Sequence, residues 1–483
     1  MTAERVVHAP AGDVASSRRG DGVTAFLGIP FASPPVGERR FRAPVAHPVW
    51  PEPLVAERFG ASPMQQRSVF TEGLDLSEDC LTLNIWAPDA AVDLPVVFWV
   101  YGGGFAGGSS AVPLFDGSRL AAEAGIVVVS ANHRTGALGF ASLVHRGLPE
   151  ASNLGLRDVV AALRWTAENI GAFGGDPAQV TVMGQSSGAF LSAALLAVPE
   201  ARSDFDKLLL ISGGASRLVP EEQAERLGDQ LLAAVGVESG PELLSVGAET
   251  IVEAQRRVGS LEIGARNAPV PESLGVVLDH DIDGVLSAHP LDVIRSGRAE
   301  RVPILLMVTG AEVAGLRGLD SEFTPPDDRA IVAEIAGWGA ADAAGIAAAY
   351  GHGELGAKRE QILTDFIYRL PAARAALAQN AAGGRAWVAQ IDEPDGSLAG
   401  HDLPVRVLFG NLDGTEGRDG ADPLEGLSGR LRDIVTEFVV HGRSDWAPFD
   451  RADGDVLRVG DGVRVEPGAF ADMLRRWEGV VRP

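Results

Sequence analysis

Cysteine, long hydrophobic runs and positive charge are all scarce in this sequence of 483 residues. The single cysteine, Cys80, permits no intrachain disulfide and no structural zinc site built on thiolates, and it favours a reducing compartment. No stretch reaches the ~18 uninterrupted apolar residues that a membrane helix needs, and the N-terminus lacks the apolar core of a signal peptide. We therefore expect a soluble protein of the cytoplasm that does not enter membranes.

Positive charge is outnumbered throughout the chain. There are 41 lysine and arginine residues against 65 acidic residues, so the formal net charge is −24 at pH 7 and the isoelectric point is about 4.8. This surplus of negative charge repels nucleic-acid phosphates and anionic lipids, and we expect neither as a partner. Only Lys207 and Lys358 are lysines, a preference for arginine that is typical of GC-rich bacterial genomes.

Hydrophobic residues make up 46% of the chain and charged residues 22%, as in globular proteins. From about residue 94, segments typical of buried strands alternate with segments of helical periodicity, which predicts an α/β fold with a mostly parallel, twisted central sheet flanked by helices. The predicted strands are 95–101, 126–131, 180–183, 208–212, 302–308 and 386–391, and the predicted helices are 156–170, 189–196 and 428–440. We expect a single domain, 1–483, with helical insertions at roughly 215–300 and 315–385.

The segment Gly184-Gln185-Ser186-Ser187-Gly188 matches the pattern Gly-x-Ser-x-Gly. It follows a predicted strand and opens a predicted helix, which is the setting of a nucleophile elbow. The flanking glycines let the backbone turn sharply, so that the hydroxyl of Ser186 is exposed at the carboxyl edge of the sheet. We predict Ser186 as the nucleophile of a hydrolase, the alternative being a tight turn with an incidental serine.

Three successive glycines, Gly102, Gly103 and Gly104, end the first of the predicted strands. Glycines leave backbone N–H groups uncovered, and such groups can meet the negative charge that develops on a carbonyl oxygen. A phosphate-binding loop is the rival interpretation, but the Lys-Ser or Lys-Thr pair of that motif does not follow. We interpret the loop as part of an oxyanion hole.

A serine nucleophile needs a general base and an acid that orients the base. Glu312 stands in a mostly uncharged segment just after one predicted strand, and His401 lies in the loop after the next. Both positions belong to the carboxyl edge of the sheet, where Ser186 is expected. We predict Glu312 as the acid and His401 as the base. The other histidines that follow the serine are His280, His289, His352 and His441.

These motifs resemble the type-B carboxylesterases, the cholinesterase-like branch of the α/β hydrolases, and are closest in style to the bacterial members. The resemblance covers nearly the whole chain and is densest before residue 212. It is carried by FLGIPFA at 26–32, PPVG at 34–37, SEDCLTLN at 77–84, YGGGF at 101–105, NHR at 132–134, FGGDP at 173–177 and the elbow. It implies an α/β-hydrolase fold and hydrolysis of a small-molecule carboxylic ester, with no metal and no organic cofactor.

The resemblance also implies a role for single residues. Ser186, Glu312 and His401 align with the catalytic triad of the family. The oxyanion donors that it implies are the backbone N–H groups of Gly103, Gly104 and Ser187. The position of Ser187 usually holds alanine in the family, but its N–H group is available whichever side chain stands there.

Two pairs of residues fall where the family places structural ion pairs, namely Arg40 with Glu78 and Arg134 with Asp158. We assign both pairs to stability. Cys80 lacks the disulfide partner that is usual in the family, which agrees with a cytoplasmic setting.

The sequence leaves the substrate open. Phe105 and residues of the helical regions are candidates to line the substrate pocket. The same triad can cleave carbamates or amides, because leaving-group preference depends on the shape of the pocket. A non-catalytic binding protein of cholinesterase-like fold is the remaining alternative, and the presence of Ser186 argues against it. The oligomeric state also stays open.

Overall fold

The computed structural model describes residues 5–68, 71–279, 285–317, 323–412 and 424–481. The strands in these residues are β1 (Arg5–Ala9), β2 (Gly12–Ser16), β3 (Arg19–Gly20), β4 (Val23–Pro30), β5 (Leu54–Val55), β6 (Ser62–Pro63), β7 (Leu76–Ser77), β8 (Thr82–Pro88), β9 (Leu94–Val100), β10 (Val127–Ala131), β11 (Gly175–Gln185), β12 (Lys207–Ile211), β13 (Val219–Pro220), β14 (Val277–Leu278), β15 (Ile304–Thr309), β16 (Ala386–Ile391), β17 (Asp455–Val459) and β18 (Val463–Pro467).

Eleven of the described strands form one sheet in the order β18-β17-β16-β15-β12-β11-β9-β10-β8-β4-β3. The seven strands from β17 to β10 in this order run parallel, and antiparallel pairs flank them at both edges. The predicted α/β fold with a mostly parallel sheet is therefore confirmed. Because the strands are parallel, their carboxyl ends meet at one edge, and this edge carries the candidate site.

The central strands are predominantly apolar because both faces of the sheet are covered. In β9, Val96, Phe98 and Val100 pack into one hydrophobic cluster, while Val97 and Trp99 pack into a second cluster on the opposite face. Side chains alternate between the two faces of a strand, so a strand that is covered on both sides shows a continuous apolar run.

Helices cover the sheet and fill the connections between its strands. They are α1 (Ser118–Ala124), α2 (Gly136–Phe140), α3 (Leu154–Asn169), α4 (Ser187–Ala194), α5 (Glu221–Val235), α6 (Ala248–Ala254), α7 (Ile263–Arg266), α8 (Pro290–Arg295), α9 (Ala314–Arg317), α10 (Asp328–Gly337), α11 (Ala343–Ala349), α12 (Leu355–Thr364), α13 (Leu370–Ala381), α14 (Leu403–Phe409), α15 (Glu425–His441) and α16 (Ala471–Arg476). A π-helical turn, Asp365–Arg369, joins α12 to α13.

Helices α5 to α8 lie between β12 and β15, and α9 to α13 lie between β15 and β16, within the ranges expected for the helical insertions. Parts of these ranges, 280–284 and 318–322, lie outside the described residues. That the chain forms a single domain stays a prediction. Among the described residues, no helix has both the length and the hydrophobicity that crossing a bilayer requires.

Both structural ion pairs expected from the sequence are present. Arg40 donates hydrogen bonds of 2.6 Å from Nε and Nη2 to the two carboxylate oxygens of Glu78. Arg134 donates from Nε and Nη2 to the carboxylate of Asp158 at 2.8 and 2.7 Å, and the Asp158 side chain is fully buried. Such two-pronged contacts suit the planar guanidinium and hold distant segments together.

Candidate active site

Ser186 stands at the turn between β11 and α4, in the strand–turn–helix arrangement predicted from the sequence. Its φ of 56° and ψ of −126° are values that L residues rarely adopt. The turn is held from both sides, because the N–H of Ser186 donates to the carbonyl of Ile211 at 2.9 Å and its own carbonyl accepts from Ala189 at 2.9 Å. Backbone hydrogen bonds thus fix the strained conformation that presents this serine.

The glycines that flank Ser186 are required by close packing. A Cβ atom added to Gly184 would lie 2.4 Å from the carbonyl oxygen of Gly188, and a Cβ atom on Gly188 would lie 2.1 Å from the carbonyl oxygen of Val100. Side chains at these positions would push α4 away from β9 and β11. The elbow motif is therefore a condition for seating the helix against the sheet.

The glycine-rich loop after β9 runs directly beside the serine. A Cβ atom on Gly102 would lie 2.9 Å from the Cβ of Ser186, and a Cβ atom on Gly103 would lie 2.1 Å from the carbonyl oxygen of Gly107. Gly103 and Gly104 have φ values of 138° and 64°. Residues with side chains would be strained in this loop, so its backbone lies uncovered next to the hydroxyl.

The three predicted oxyanion donors have no hydrogen-bond acceptor within the described part of the chain. This holds for the N–H groups of Gly103, Gly104 and Ser187. Ser187 is the first residue of α4, where helix N–H groups have no acceptor within the helix. Because buried N–H groups are nearly always paired, donors left free at this place are suited to an oxyanion.

The predicted acid and the predicted base are joined by a direct hydrogen bond. His401 Nδ1 lies 2.6 Å from Oε2 of Glu312, whose side chain is fully buried. The other carboxylate oxygen accepts the N–H of Thr309 at 2.7 Å. An ionised carboxylate only accepts, so Nδ1 carries the hydrogen and Nε2 is left as the basic nitrogen.

The pairing of β15 with β16 places this acid and base side by side. Beyond the strand ends, the N–H of Ala311 donates to the carbonyl of Ala399 at 3.0 Å, and Ala311 and Gly400 form a further β-bridge. Glu312 and His401 are the residues that follow these contacts. Their proximity is thus a continuation of the strand register into the two loops.

The environment of His401 favours its protonated form. Burial of the imidazole by itself would lower its pKa, but the hydrogen bond and the negative charge of Glu312 outweigh this effect, and the pKa of His401 is raised above its ordinary value. The imidazole side chain remains 22% exposed. A carboxylate that stabilises an imidazolium supports the role of a base that takes up a proton during the reaction.

Tyr368 connects the base to the helix that carries the serine. Its ring centroid lies 5.1 Å from that of His401 and 6.4 Å from that of Phe190, which is one helical turn beyond Ser186.

Among the described residues, the Ser186 hydroxyl has no hydrogen-bond partner, His401 included. Catalytic hydrogen bonds often tighten only when substrate binds. The structure thus joins acid to base and leaves the serine hydroxyl without a bond to the base.

The other histidines after Ser186 show no contact with Glu312 or His401 among the described residues. His289 caps the start of α8, and His352 and His441 are exposed. His280 lies outside the described residues. Phe105, a candidate substrate contact, is buried, and its ring centroid lies 5.2 Å from that of Phe140. A contact between Phe105 and substrate stays a prediction.

Sequence reasoning missed three residues of this region, Arg217, Arg266 and Tyr368. The guanidinium of Arg217 lies 5.0 Å from the ring centroid of Phe105. One signal for it was available, because Arg217 follows a buried strand in a segment without acidic residues. Arg266 and Tyr368 lie within helical stretches whose folding onto the site no periodicity predicts.

Within the described ranges, no group of three or more His, Cys, Asp or Glu side chains is arranged to hold a metal ion.

Comparison with known proteins gives consistent matches. Residues 4–329 match the family model described as the carboxylesterase family. The para-nitrobenzyl esterase of Bacillus subtilis (strain 168) is 35% identical over 465 residues, which cover 92% of this chain and 93% of that protein. The fumonisin B1 esterase of Sphingopyxis macrogoltabida is 32% identical over 473 residues, which cover 91% of this chain and 84% of that protein.

Solved structures agree with these relatives. A carboxylesterase from Geobacillus stearothermophilus superposes with a TM-score of 0.87 at 30% identity and covers 98% of this chain and 100% of its own. A structure titled PNB esterase superposes with a TM-score of 0.84 at 31% identity, covering 98% and 99%. The expected α/β-hydrolase fold is thereby confirmed.

Proposed function

The chain belongs to the carboxylesterase family and is a carboxylic-ester hydrolase, and on this premise we propose that it acts through an acyl-enzyme on Ser186. The observation that carries the proposal is the 2.6 Å hydrogen bond between the buried Glu312 and His401, at the same edge of the sheet as the strained turn at Ser186. A small-molecule ester is the substrate.

The first half of the proposed reaction forms the acyl-enzyme. His401 Nε2 takes the hydroxyl proton of Ser186 while Oγ attacks the ester carbonyl carbon. The tetrahedral intermediate collapses as His401 returns this proton to the leaving alcohol and the carbon–oxygen bond breaks. Glu312 keeps the hydrogen on Nδ1 and stabilises the imidazolium that forms between the two proton transfers.

The second half releases the acid. His401 takes a proton from water, the resulting hydroxide attacks the acyl carbon, and the ester bond to Ser186 breaks with return of the proton to Oγ. In both halves the charge on the carbonyl oxygen is met by the N–H groups of Gly103, Gly104 and Ser187, which have no other acceptor among the described residues.

We further propose the cytoplasm as the location of the enzyme. Cys80 is a buried free cysteine, and burial raises the pKa of its thiol, so the thiol stays protonated. A fold with a free cysteine and no need for a disulfide suits a reducing compartment.

Hydrolysis of para-nitrophenyl acetate and butyrate by wild type and by single variants tests the proposal. We expect Ser186→Ala and His401→Ala each to lower kcat by ~10³-fold or more, because each removes one partner of the nucleophile–base unit. His441→Ala is the matched control, since His441 lies at the exposed end of α15, and it should retain wild-type rates.

Full activity of Ser186→Ala would overturn the proposal. Activity of His401→Ala with loss of activity in Ser186→Ala would keep the acyl-enzyme and move the base to another histidine. Circular dichroism of each variant separates loss of chemistry from loss of fold.

A further inference from the structure

Arg217 is a buried cation with unsatisfied donors. It lies in the loop after β12 and is 5% exposed. Its guanidinium carbon sits 5.0 Å from the ring centroid of Phe105 and 5.7 Å from that of Phe190. Its Nε is buried without a hydrogen-bond partner, and no described residue forms an ion pair with it. Cation–π contact offsets part of the loss of hydration but leaves these N–H donors unused.

Arg266 is a second cation next to the same site. It is the last residue of α7, and its Nη2 lies 3.4 Å from the position that a Cβ atom would take on Gly104. One guanidinium nitrogen therefore stands against the predicted oxyanion loop. Within the described residues, the Arg266 side chain has no carboxylate partner and no hydrogen bond.

The two arginines form one local field of positive charge. Each lies within electrostatic reach of Tyr368, and Arg217 acts on His401 as well. Burial lowers the pKa of Arg217 to about 10, with the charge of Arg266 as a further cause, and burial lowers the pKa of Arg266 too. Arg217 is thus still charged at neutral pH.

This positive charge contrasts with the negative net charge of the protein. The protein has a formal net charge of −24, yet these two arginines lie within electrostatic reach of each other, and neither has an ion-pair partner among the described residues. Burying like charges together is unfavourable unless an anion joins them. The remaining donors of two guanidinium groups match the two oxygens of a carboxylate.

We propose that Arg217 and Arg266 bind a carboxylate of the substrate, so that the preferred substrates are esters that carry a free carboxylate close to the scissile bond. The inference rests on the proposed function, since Arg266 is placed by its distance to Gly104 and Arg217 by its packing on Phe105 and Phe190 and its charge acting on His401. A half-ester of a dicarboxylic acid carries this group on the acyl side, and an ester of a hydroxy acid carries it on the alcohol side. The shared chemistry is the carboxylate.

The test uses substrate pairs that differ only in a carboxylate exchanged for a carboxamide. Monoethyl glutarate against ethyl glutaramate probes the acyl side, and para-acetoxybenzoate against para-acetoxybenzamide probes the alcohol side. The readout is the ratio of kcat/KM within each pair, followed by proton release. We expect wild type to favour the anion by ~10-fold or more in at least one pair, and the pair that shows it identifies the side.

Variants assign this preference to the arginines. Arg217→Gln and Arg266→Gln should each lower the anion-to-amide ratio by ~10–100-fold, as expected for loss of a charged hydrogen bond. Arg217→Lys keeps the positive charge but loses the two parallel N–H donors of the guanidinium group, so its anion-to-amide ratio should lie between those of wild type and Arg217→Gln. Arg256→Gln is the matched control, because Arg256 is 60% exposed and pairs with Glu253, and its ratio should equal that of wild type.

Competition provides a readout that does not need turnover of an anionic substrate. Glutarate should inhibit hydrolysis of para-nitrophenyl butyrate competitively in wild type, with a Ki that rises ~10-fold or more in Arg217→Gln and Arg266→Gln. A wild-type ratio near one in both pairs, unchanged in the variants, would overturn the inference while leaving the proposed function intact.

Failure of the proposed function looks different. Wild type and Ser186→Ala would then hydrolyse all four esters and para-nitrophenyl butyrate at equal rates, whether both are active or both inactive. In that case the carboxylate site is tested by the melting temperatures of wild type and Arg217→Gln, each measured with and without glutarate. A rise in wild type that is lost in Arg217→Gln supports the carboxylate site, and no rise overturns it.

Discussion

Two arginines of this protein are equally shielded from water but differ in their surroundings. Arg134 and Arg217 are each 5% exposed. Arg134 is held by two hydrogen bonds to the carboxylate of Asp158, whereas Arg217 rests on aromatic rings and has no ion-pair partner among the described residues. A buried charge is expensive unless it is paired. The charge of Arg134 is therefore neutralised within the fold, whereas the charge of Arg217 is left for an anionic ligand to neutralise.

The places of Arg134 and Arg217 in the fold explain why one is paired and the other is not. Arg134 lies just beyond β10, and its backbone N–H also donates to Asp158 at 2.9 Å, so that loop and helix α3 are joined by one carboxylate. Arg217 lies in a loop beside the nucleophile helix, where Gly213 packs against Ala189 so closely that a Cβ atom would lie 2.4 Å from the Ala189 Cβ. The hydrogen bonds of Arg134 contribute to stability, whereas the unpaired donors of Arg217 are free to bind a substrate carboxylate.

The largest effect is expected from breaking the paired arginine. Asp158→Ala leaves Arg134 buried without a carboxylate, with only the hydrogen bond from its Nη1 to the carbonyl of Arg42 at 2.8 Å, and should lower the free energy of unfolding by ~3–5 kcal/mol. Urea unfolding followed by circular dichroism measures the change. Asp453→Ala is the control, since the Asp453 side chain is 73% exposed and its pair with Arg451 lies at the surface.

A loss below ~1 kcal/mol in Asp158→Ala would contradict this reading, because it would mean that the pair contributes no more than a surface ion pair does. The double variant Arg134→Met, Asp158→Leu sharpens the test. It removes both charges together and should recover most of the lost stability, as replacement of a buried ion pair by apolar side chains often does.

A smaller effect of opposite sign is expected at the unpaired arginine. Arg217→Met removes a buried charge that has no partner and keeps a long side chain on the rings of Phe105 and Phe190. It should raise the free energy of unfolding by ~1 kcal/mol, since sites poised for ligands often trade stability for function. Arg217 has a φ of 64°, and methionine is strained there to the same degree, so backbone strain cancels in the comparison.

Urea unfolding, measured without added carboxylates, checks this prediction. Destabilisation of Arg217→Met by more than ~1 kcal/mol would show that Arg217 acts as a structural residue in the manner of Arg134. Arg256→Met serves as the control for the removal of one positive charge, because this side chain is 60% exposed.

The elements that the sequence predicts well are those whose signal is local. The turn at Ser186 follows from a buried strand, two glycines and a helix that are contiguous in the chain. The loop positions of Glu312 and His401 follow from the strands before them, because parallel neighbours bring their carboxyl ends together. Their hydrogen bond, across 89 positions of sequence, depends on strand order, which only the family resemblance implied.

In the eleven-stranded sheet, the described strands that escaped prediction are the outer ones, two at one end and three at the other. β18 (Val463–Pro467) is mostly exposed, with Val463 and Val465 facing solvent, and therefore shows no continuous apolar run. β4 (Val23–Pro30) is apolar, but its pairing with β8 shifts register between Phe26 and Ile29, which blurs the periodic pattern. Edge strands are defined by their neighbours more than by their own residues.

The unpaired arginines could not have been predicted for a related reason. Charge pairing is a property of the folded chain, and the sequence does not state which of 65 acidic residues reaches a given arginine. The pairing of Arg134 with Asp158 could be predicted because the family places a structural ion pair at these positions. For Arg217 and Arg266, lack of a partner emerges only once α7 and the loop after β12 are placed around the site.

The smallest effect separates two of the charges that act on His401, those of Glu312 and Arg217. Activity requires the neutral imidazole, so kcat/KM falls as the pH drops through the pKa of His401. Glu312 raises this pKa and Arg217 opposes the rise. Removal of each charge should therefore move the acidic limb of the pH profile in opposite directions, to lower pH in Glu312→Gln and to higher pH in Arg217→Gln. The profile of kcat/KM for para-nitrophenyl butyrate, a neutral ester, measures both shifts, and Arg256→Gln should show neither. An acidic limb that stays in place or moves to lower pH in Arg217→Gln would mean that the charge of Arg217 does not lower the pKa of His401, and the proposed link between Arg217 and the reaction centre would be lost.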